Sequence, residues 1–174
     1  MPIAFFSIAL ASLTARIGCW ASGPRLGLAS GLVVATSLGL WLFTRILIPD
    51  VILTFTISLA LFAFLRALDR EERSATFWSN VFSAAIALGL LLKGLIALLL
   101  PGAAAVLYLV LTGQLLASNT WRRLKVGQGV LILLGIAGPW HVAATLANPP
   151  FLDFTLRSVP GEYHGFFWFY FLNE

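Results

Sequence analysis

The sequence predicts an all-α protein: a polytopic transmembrane helix bundle of about six membrane helices, followed by an aromatic outer-face loop or interfacial helix. Three observations support this fold class. Hydrophobic residues make up 60% of the 174 positions and charged residues only 10%, whereas a soluble domain carries roughly 25% charged residues. Several apolar segments approach the roughly 20 residues that a membrane helix needs. Most of the basic residues lie at every second break between these segments.

The apolar segments are separated by short polar or Pro/Gly-containing breaks. They cover residues 3–21, 27–48, 51–68, 75–93, 95–117 and 127–147. Residues 1–147 are therefore predicted to form the transmembrane bundle, and residues 148–174 to form a periplasmic or luminal loop or interfacial helix. The run from Phe166 to Phe171 is wholly aromatic, and aromatic rings concentrate at membrane–water interfaces. Met1 to Ser12 has no basic region, so it does not indicate a cleaved signal peptide.

The basic residues predict the orientation in the membrane. Eight of the eleven lie at or near the first, third and fifth breaks, namely Arg16, Arg25, Arg66, Arg70, Arg73, Arg122, Arg123 and Lys125. These breaks lie on one side if every segment spans, and the positive-inside tendency makes that side cytoplasmic. The breaks that hold Asp50 and Lys93, and the segment after Asn148, then face the periplasm or a lumen.

The reversal between the fourth and fifth segments has two candidate positions, Lys93-Gly94 and Pro101-Gly102. The later reversal would leave Lys93 about two helical turns inside the membrane, at a cost of roughly 2.5–3.5 kcal/mol. The earlier reversal places the lysine at the interface, and we predict it for that reason. Pro101 then lies inside the fifth helix as a kink, which neighbouring helices can accommodate.

Composition excludes several classes of site. The single cysteine, Cys19, permits neither an intrachain disulfide nor a cysteine-based zinc site, and we predict that it is a packing residue. The basic residues form short clusters rather than a continuous stripe, so nucleic acid is not an expected partner. The chain has no Gly-rich phosphate loop, and neither a metal nor another cofactor is expected.

One pair of charges flanks the second break, in the run Arg45-Ile-Leu-Ile-Pro-Asp50. A structural interpretation makes Pro49 the end of one helix and Asp50 the cap of the next. A functional interpretation places both charges at the mouth of a membrane cavity. Arg45 would bind a phosphate there, and Asp50 would orient a sugar or a basic partner.

Lys93 and the charged segment after Asn148 supply the other candidates. Lys93 is either a lysine that extends from a helix end to the interface or a cation for a lipid-linked phosphate, with Gly94 permitting a tight turn beside it. Glu162 and His164 belong either to a solvated loop or to a substrate loop over the cavity. His141 is predicted to be a packed, hydrogen-bonded histidine rather than a ligand.

At these residues the sequence resembles the polytopic C-type-fold glycosyltransferases that use a polyprenyl-phosphate sugar donor, such as aminoarabinose transferases and protein O-mannosyltransferase-like enzymes. The matching pieces, in order, are Arg45-Ile-Leu-Ile-Pro-Asp50, Gly89-Leu-Leu-Leu-Lys93-Gly94 with Leu100-Pro101-Gly102, Gly138-Pro139-Trp140-His141, Asn148-Pro-Pro-Phe-Leu-Asp-Phe154, and the segment with Glu162, His164, Trp168 and Tyr170.

The resemblance implies a membrane glycosyltransferase that moves a sugar, with inversion, from the lipid donor to an acceptor lipid, glycan or protein at the outer face of the plasma (inner) membrane. Lys93 would contact the donor phosphate, and Asp50, Arg45, Glu162 and His164 would bind substrate. The family's catalytic carboxylate is expected upstream of Met1, so we expect this chain to be a fragment that is inactive in isolation. A transporter and a non-catalytic membrane component remain alternatives.

Overall fold

A computed structural model describes residues 2–46, 49–151 and 164–171. These residues form helices joined by short turns and bends, and none of them forms a strand. The helices are α1 (Pro2–Ser22), α2 (Pro24–Ala35), α3 (Leu38–Ile46), α4 (Asp50–Leu68), α5 (Ala75–Lys93), α6 (Ile96–Leu111), α7 (Ser118–Leu124), α8 (Val126–Ala147) and α9 (Gly165–Phe171). The predicted all-α class is confirmed.

Several of these helices can cross a membrane. Within the described ranges, α1, α4, α5 and the stretch Ser118–Ala147 that contains α7 and α8 are long and apolar enough to do so. Helices α2 and α3 add a fifth span if they are counted together across the 43° bend between them. Helix α6 is apolar but has only 16 residues. The polytopic bundle is therefore confirmed with four or five candidate spans, where about six were predicted.

The second predicted segment is broken at two adjacent hydroxyl residues. The Thr36 hydroxyl donates to the Leu32 carbonyl at 2.8 Å, and the Ser37 hydroxyl donates to the Val34 carbonyl at 2.9 Å, at the point where α2 ends. The Ser37 oxygen also accepts the Leu40 N–H at 3.3 Å, as an N-cap of α3 does. The hydropathy of residues 27–48 did not reveal this break.

The fifth predicted segment is shorter because a glycine ends it early. Gly113 has φ 67°, its N–H donates to the Val110 carbonyl, and the Gln114 N–H donates to the Leu109 carbonyl at 2.8 Å. This is the hydrogen-bond pattern of a Schellman C-cap, so α6 ends at Leu111.

The preceding turn lies where it was predicted. Helix α5 ends at Lys93, Gly94 has φ 73°, and Pro101 lies inside α6. The lysine therefore stands at a helix end, and the earlier of the two candidate reversals is confirmed.

Helices α1 and α2 pack closely through small residues. An added Cβ at Gly27 would lie 2.6 Å from the Cys19 nitrogen and 2.7 Å from the Ala15 oxygen, and one at Gly31 would lie 2.8 Å from the Ala15 Cβ. Small residues spaced four apart let membrane helices approach in this way. The Ser30 hydroxyl adds a bond to the Thr14 carbonyl at 3.2 Å.

Helices α4 and α5 provide the centre of the bundle. Two clusters of buried side chains run along them, formed by Ala60, Ala85, Ile86, Leu90 and Ala137 in one and by Phe64, Ala67, Ala105, Leu109 and Leu124 in the other. The clusters draw α6, α7 and α8 against this central pair, so the packing that positions both ends of α4 and α5 is mostly apolar.

Polar contacts connect the breaks in two groups. The Trp20 indole N–H lies 3.4 Å from Asp69 Oδ2, which joins the first break to the third. The Arg123 guanidinium donates to the Ala67 carbonyl at 2.9 Å and to the Asp69 carbonyl at 2.5 Å, which joins the fifth break to the third. We call this the basic end. The second and fourth breaks meet at the opposite end, which we call the Lys93 end.

Helix α9 packs near the Lys93 end. The Tyr170 hydroxyl donates to the Leu90 carbonyl at 2.9 Å. Gly165 has φ 77°, and an added Cβ there would lie 2.8 Å from the Asn148 carbonyl, so α9 begins directly against the end of α8. The predicted outer segment, residues 148–174, is described only at 148–151 and 164–171, and its assignment stays a prediction.

Candidate functional site

A cavity of about 630 Å³ lies at the Lys93 end, between α1, the α2–α3 bend, α4 and residues of α5 and α6. Both Asp50 and Lys93 line it, so the structure brings these two predicted site residues together. Most of the other lining side chains are apolar, and the hydroxyls come from Thr14, Ser37, Thr54 and Ser58. The cavity therefore combines two opposite charges with a largely hydrocarbon wall.

Local backbone rules place the two charges at helix ends. Pro49 has no N–H to donate, and α4 begins directly after it at Asp50. Gly94 has a positive φ, and α5 ends directly before it at Lys93. An acid at a helix N-terminus and a base at a C-terminus are both favoured by the helix dipole. The structural interpretation of Asp50 as the cap of this helix is wrong, because Pro49 occupies the N-cap position and Asp50 is the first helical residue.

The two side chains form an ion pair at the cavity mouth. Lys93 Nζ donates to Asp50 Oδ1 at 2.5 Å. The Lys93 side chain is 46% exposed and that of Asp50 is 30% exposed, and an ion pair with this access to water contributes at most about 1 kcal/mol to stability. Because so little free energy holds the pair together, a second anion can compete with Asp50 for the lysine.

The cavity extends along α4, away from the ion pair. Ser58 lies eight residues after Asp50 in α4, which is about 12 Å further along the helix. The Thr54 hydroxyl donates to the Asp50 carbonyl at 2.7 Å, and the Thr14 hydroxyl donates to the Leu10 carbonyl at 2.9 Å, so both are held against their own helices. The two charges therefore lie at one end of a cavity whose remaining wall is mostly apolar.

Arg45 lies away from the pair. Its guanidinium carbon is 5.0 Å from the centre of the Trp41 ring, and the residue is exposed and does not line the cavity. Helix α3 turns Leu40 and Phe43 toward the cavity, and a residue two positions after Phe43 lies on a different face of the helix. The structure therefore does not bring Arg45 to the predicted site.

The structure describes only one of the two remaining predicted site residues. Glu162 lies outside the described residues. His164 is only 2% exposed and stacks on Trp168, with ring centres 4.4 Å apart, and it does not line the cavity. Its predicted role in substrate binding stays a prediction.

His141 is packed and hydrogen-bonded, as predicted. Its Nδ1 lies 2.7 Å from the Ala137 carbonyl, to which an Nδ1–H donates. Its ring contacts those of Tyr170 and Phe166, at 4.6 and 6.0 Å between centres. Because Tyr170 also bonds the Leu90 carbonyl, His141 helps to seat α9 against the helix that presents Lys93.

Sequence reasoning missed the hydroxyls of the cavity wall. Thr14 and Ser58 gave only one signal, which is that a polar side chain stands inside an otherwise apolar helix. Among the described residues, no group of three or more His, Cys, Asp or Glu side chains could hold a metal ion.

Residues 2–141 match the family model described as dolichyl-phosphate-mannose-protein mannosyltransferase. The chain belongs to this family. It is therefore a multi-pass membrane protein of a glycosyltransferase family whose members use a polyprenyl-phosphate-linked sugar, which confirms the resemblance seen in the sequence. The match contains the whole cavity wall, including Asp50 and Lys93. No curated protein and no solved structure matches the chain significantly.

Proposed function

We propose that the cavity at the Lys93 end binds a polyprenyl-phosphate-linked sugar, with the phosphate at Lys93 and the first part of the hydrocarbon chain along the apolar wall. The observation that carries this proposal is the juxtaposition of one ion pair with a largely apolar cavity, in a chain of this family. Family membership also favours a glycosyltransferase over the transporter and the non-catalytic component.

The cavity opens on the outer, periplasmic or extracellular face of a plasma (inner) membrane. The support is the charge distribution: the basic end gathers most of the arginines, and positive residues favour the cytoplasmic side. The Lys93 end is then the outer end. The acceptor, a lipid, glycan or protein, approaches from that side.

Lys93 assists the departure of the phosphate. During transfer, the bond between the anomeric carbon and the phosphate oxygen breaks, and a bond from that carbon to the acceptor oxygen forms. Negative charge grows on the leaving phosphate, and a fixed cation stabilises it. Asp50 holds the lysine at the mouth, and the phosphate binds on another side of the same nitrogen.

A separate carboxylate deprotonates the acceptor. Asp50 is unsuited to that role because it already accepts a hydrogen bond from Lys93. The expected catalytic carboxylate upstream of Met1 stays a prediction. It implies that the chain of 174 residues binds donor lipid but transfers no sugar by itself, and transfer by the purified chain alone would contradict this part of the proposal.

Binding of a polyprenyl phosphate without sugar tests the donor site. The purified chain in lipid nanodiscs is titrated with this lipid, and retention is measured by native mass spectrometry. Loss of one charge-assisted hydrogen bond at a half-exposed site predicts about tenfold weaker binding for Lys93→Gln. Lys125→Gln, which removes the same charge at the basic end, should bind like the wild type.

Binding of a neutral polyprenol distinguishes the contribution of the phosphate from that of the hydrocarbon chain. It lacks the phosphate, so Lys93→Gln should leave its weak binding unchanged. Equal affinity of Lys93→Gln and the wild type for polyprenyl phosphate would show that Lys93 does not bind the phosphate.

A further inference from the structure

A second cavity, of about 540 Å³, lies at the basic end of the bundle. Its polar lining comes from Trp20, Asp69, Tyr108 and Gln114, which lie at or just beyond the ends of α1, α4 and α6. It shares no lining residue with the cavity at Lys93. The two cavities therefore belong to opposite ends of the molecule.

The electrostatics of this cavity differ from those of its surroundings. Three helices end here with their carboxyl termini, which carry partial negative charge, and the Asp69 carboxylate adds a full one. None of the described lysines and arginines lines the cavity, although this end is rich in arginine. Arg66 pairs with Glu72, and Arg123 bonds the carbonyls that end α4. A small negative site thus lies at an end of the bundle that is rich in arginine.

The carboxylate is held in place by its neighbours. The Glu71 N–H donates to Asp69 Oδ1 at 3.1 Å, and the Trp20 indole N–H lies 3.4 Å from Oδ2. Each carboxylate oxygen can accept more than one hydrogen bond, so Asp69 retains capacity for a donor that enters the cavity.

Two aromatic side chains also line this cavity. Trp20 packs in a T shape on Phe62, at 5.7 Å between centres, and Tyr108 packs in a T shape on Phe64, at 5.9 Å. Each of Trp20 and Tyr108 remains 38% exposed. Aromatic faces attract ammonium groups, and Gln114 supplies a carbonyl oxygen that can accept a hydrogen bond from such a group.

We propose that this cavity binds the ammonium of an aminophospholipid, of the phosphatidylethanolamine type, from the leaflet at the basic end. The match is one of paired charges: the ammonium meets Asp69 and the rings, and the lipid phosphate meets Arg70, which is exposed and directly follows Asp69. An anionic lipid of the phosphatidylglycerol type has the phosphate without the ammonium. A neutral glycolipid has hydroxyls only. The proposal does not depend on the function of the Lys93 cavity.

Competition between lipids tests this site. The purified chain is exchanged into detergent with equal amounts of phosphatidylethanolamine and phosphatidylglycerol, and the retained lipids are counted by native mass spectrometry. The wild type should retain the amine lipid on the order of fivefold better, the size expected for one exposed ion pair. Asp69→Asn keeps an oxygen for the Glu71 N–H but removes the charge, so it should abolish the preference.

Matched variants and lipids decide the outcome. Glu71→Gln removes the neighbouring carboxylate, which does not line the cavity, and should keep the preference. Circular dichroism checks that each variant folds. Trp20→Phe lowers the affinity for a cation without altering the charge, so it should reduce the preference for the amine lipid. Equal retention of both lipids by the wild type, a preference that survives in Asp69→Asn, or equal retention of a neutral glycolipid would each overturn the proposal.

Discussion

Replacing Asp50 by asparagine should strengthen the binding of a polyprenyl phosphate, which is the opposite of the effect of Lys93→Gln. In the free protein, Asp50 occupies one side of Lys93 Nζ at 2.5 Å. A bound phosphate oxygen would lie on another side of the same nitrogen, roughly 5 Å from the carboxylate, one hydrogen bond away in each direction. The two anions therefore compete for one cation and also repel each other.

The magnitude follows from the exposure of the pair. Two unit charges about 5 Å apart interact by about 0.8 kcal/mol when water screens them fully. Because 30% and 46% of the two side chains are exposed, this high-dielectric value is the appropriate one. Removing the carboxylate should tighten phosphate binding about fourfold, and the gain should shrink with added salt because the Debye length falls.

The assay is the nanodisc titration with polyprenyl phosphate, run at low and high salt on Asp50→Asn, Lys93→Gln and the double variant. The double variant should bind about fourfold more tightly than Lys93→Gln, because the repulsion between the carboxylate and the phosphate does not depend on the lysine. Glu71→Gln, a carboxylate removed at the opposite end, should change nothing. If Asp50→Asn binds as weakly as Lys93→Gln, then Asp50 positions the lysine for the phosphate and the competition argument is refuted.

Three further predictions concern stability. Gly27→Ala should lower the free energy of unfolding by about 1–3 kcal/mol, since its Cβ meets backbone atoms of α1. Gly135→Ala should not, because an added Cβ there meets no neighbouring atom. Thermal unfolding in detergent compares the two variants. Arg123→Ala should cost about 2–3 kcal/mol by removing donors from three carbonyls, while its exposed neighbour Arg122→Ala should cost little in the same assay. The Ser74 N–H and the Arg66 guanidinium hold the pKa of Glu72 below its ordinary 4.5, so its contribution to stability is present above that pH and is lost as the pH falls through the lowered pKa. Glu72→Gln should therefore reduce the loss of stability at acidic pH when thermal unfolding is measured against pH. An unchanged loss would contradict the assignment.

The sequence predicted the ends of helices better than their interiors. The reversal at Lys93-Gly94 could be predicted because a buried lysine is costly and glycine permits a positive φ, and both terms act locally. The break at Thr36-Ser37 was missed because threonine and serine are also common inside membrane helices. Only the hydrogen bond from the Leu40 N–H to the Ser37 oxygen shows that a new helix begins there.

The convergence of Asp50 and Lys93 followed from topology, whereas the exclusion of Arg45 did not. Two breaks at the same end of an antiparallel helix pair must lie near each other, so a charge in each can pair. The direction of Arg45 depends on the rotation of α3 about its own axis. That rotation is set by the bend after α2 and by which side chains pack on α4, neither of which a hydropathy pattern specifies.

The polar contacts are distributed unequally between the two ends, and this bears on where a lipid can enter. At the basic end, Arg123 and Trp20 join three breaks through hydrogen bonds to α4 and the turn after it, so separating the helices there would break several bonds at once. At the Lys93 end, Tyr170 ties α9 to α5 on the side of α8, while a partly exposed ion pair joins α4 to α5 on the cavity side. Since that pair is weak and partly exposed, we propose that a charged lipid head reaches Lys93 on the cavity side without breaking the contacts that hold the bundle together.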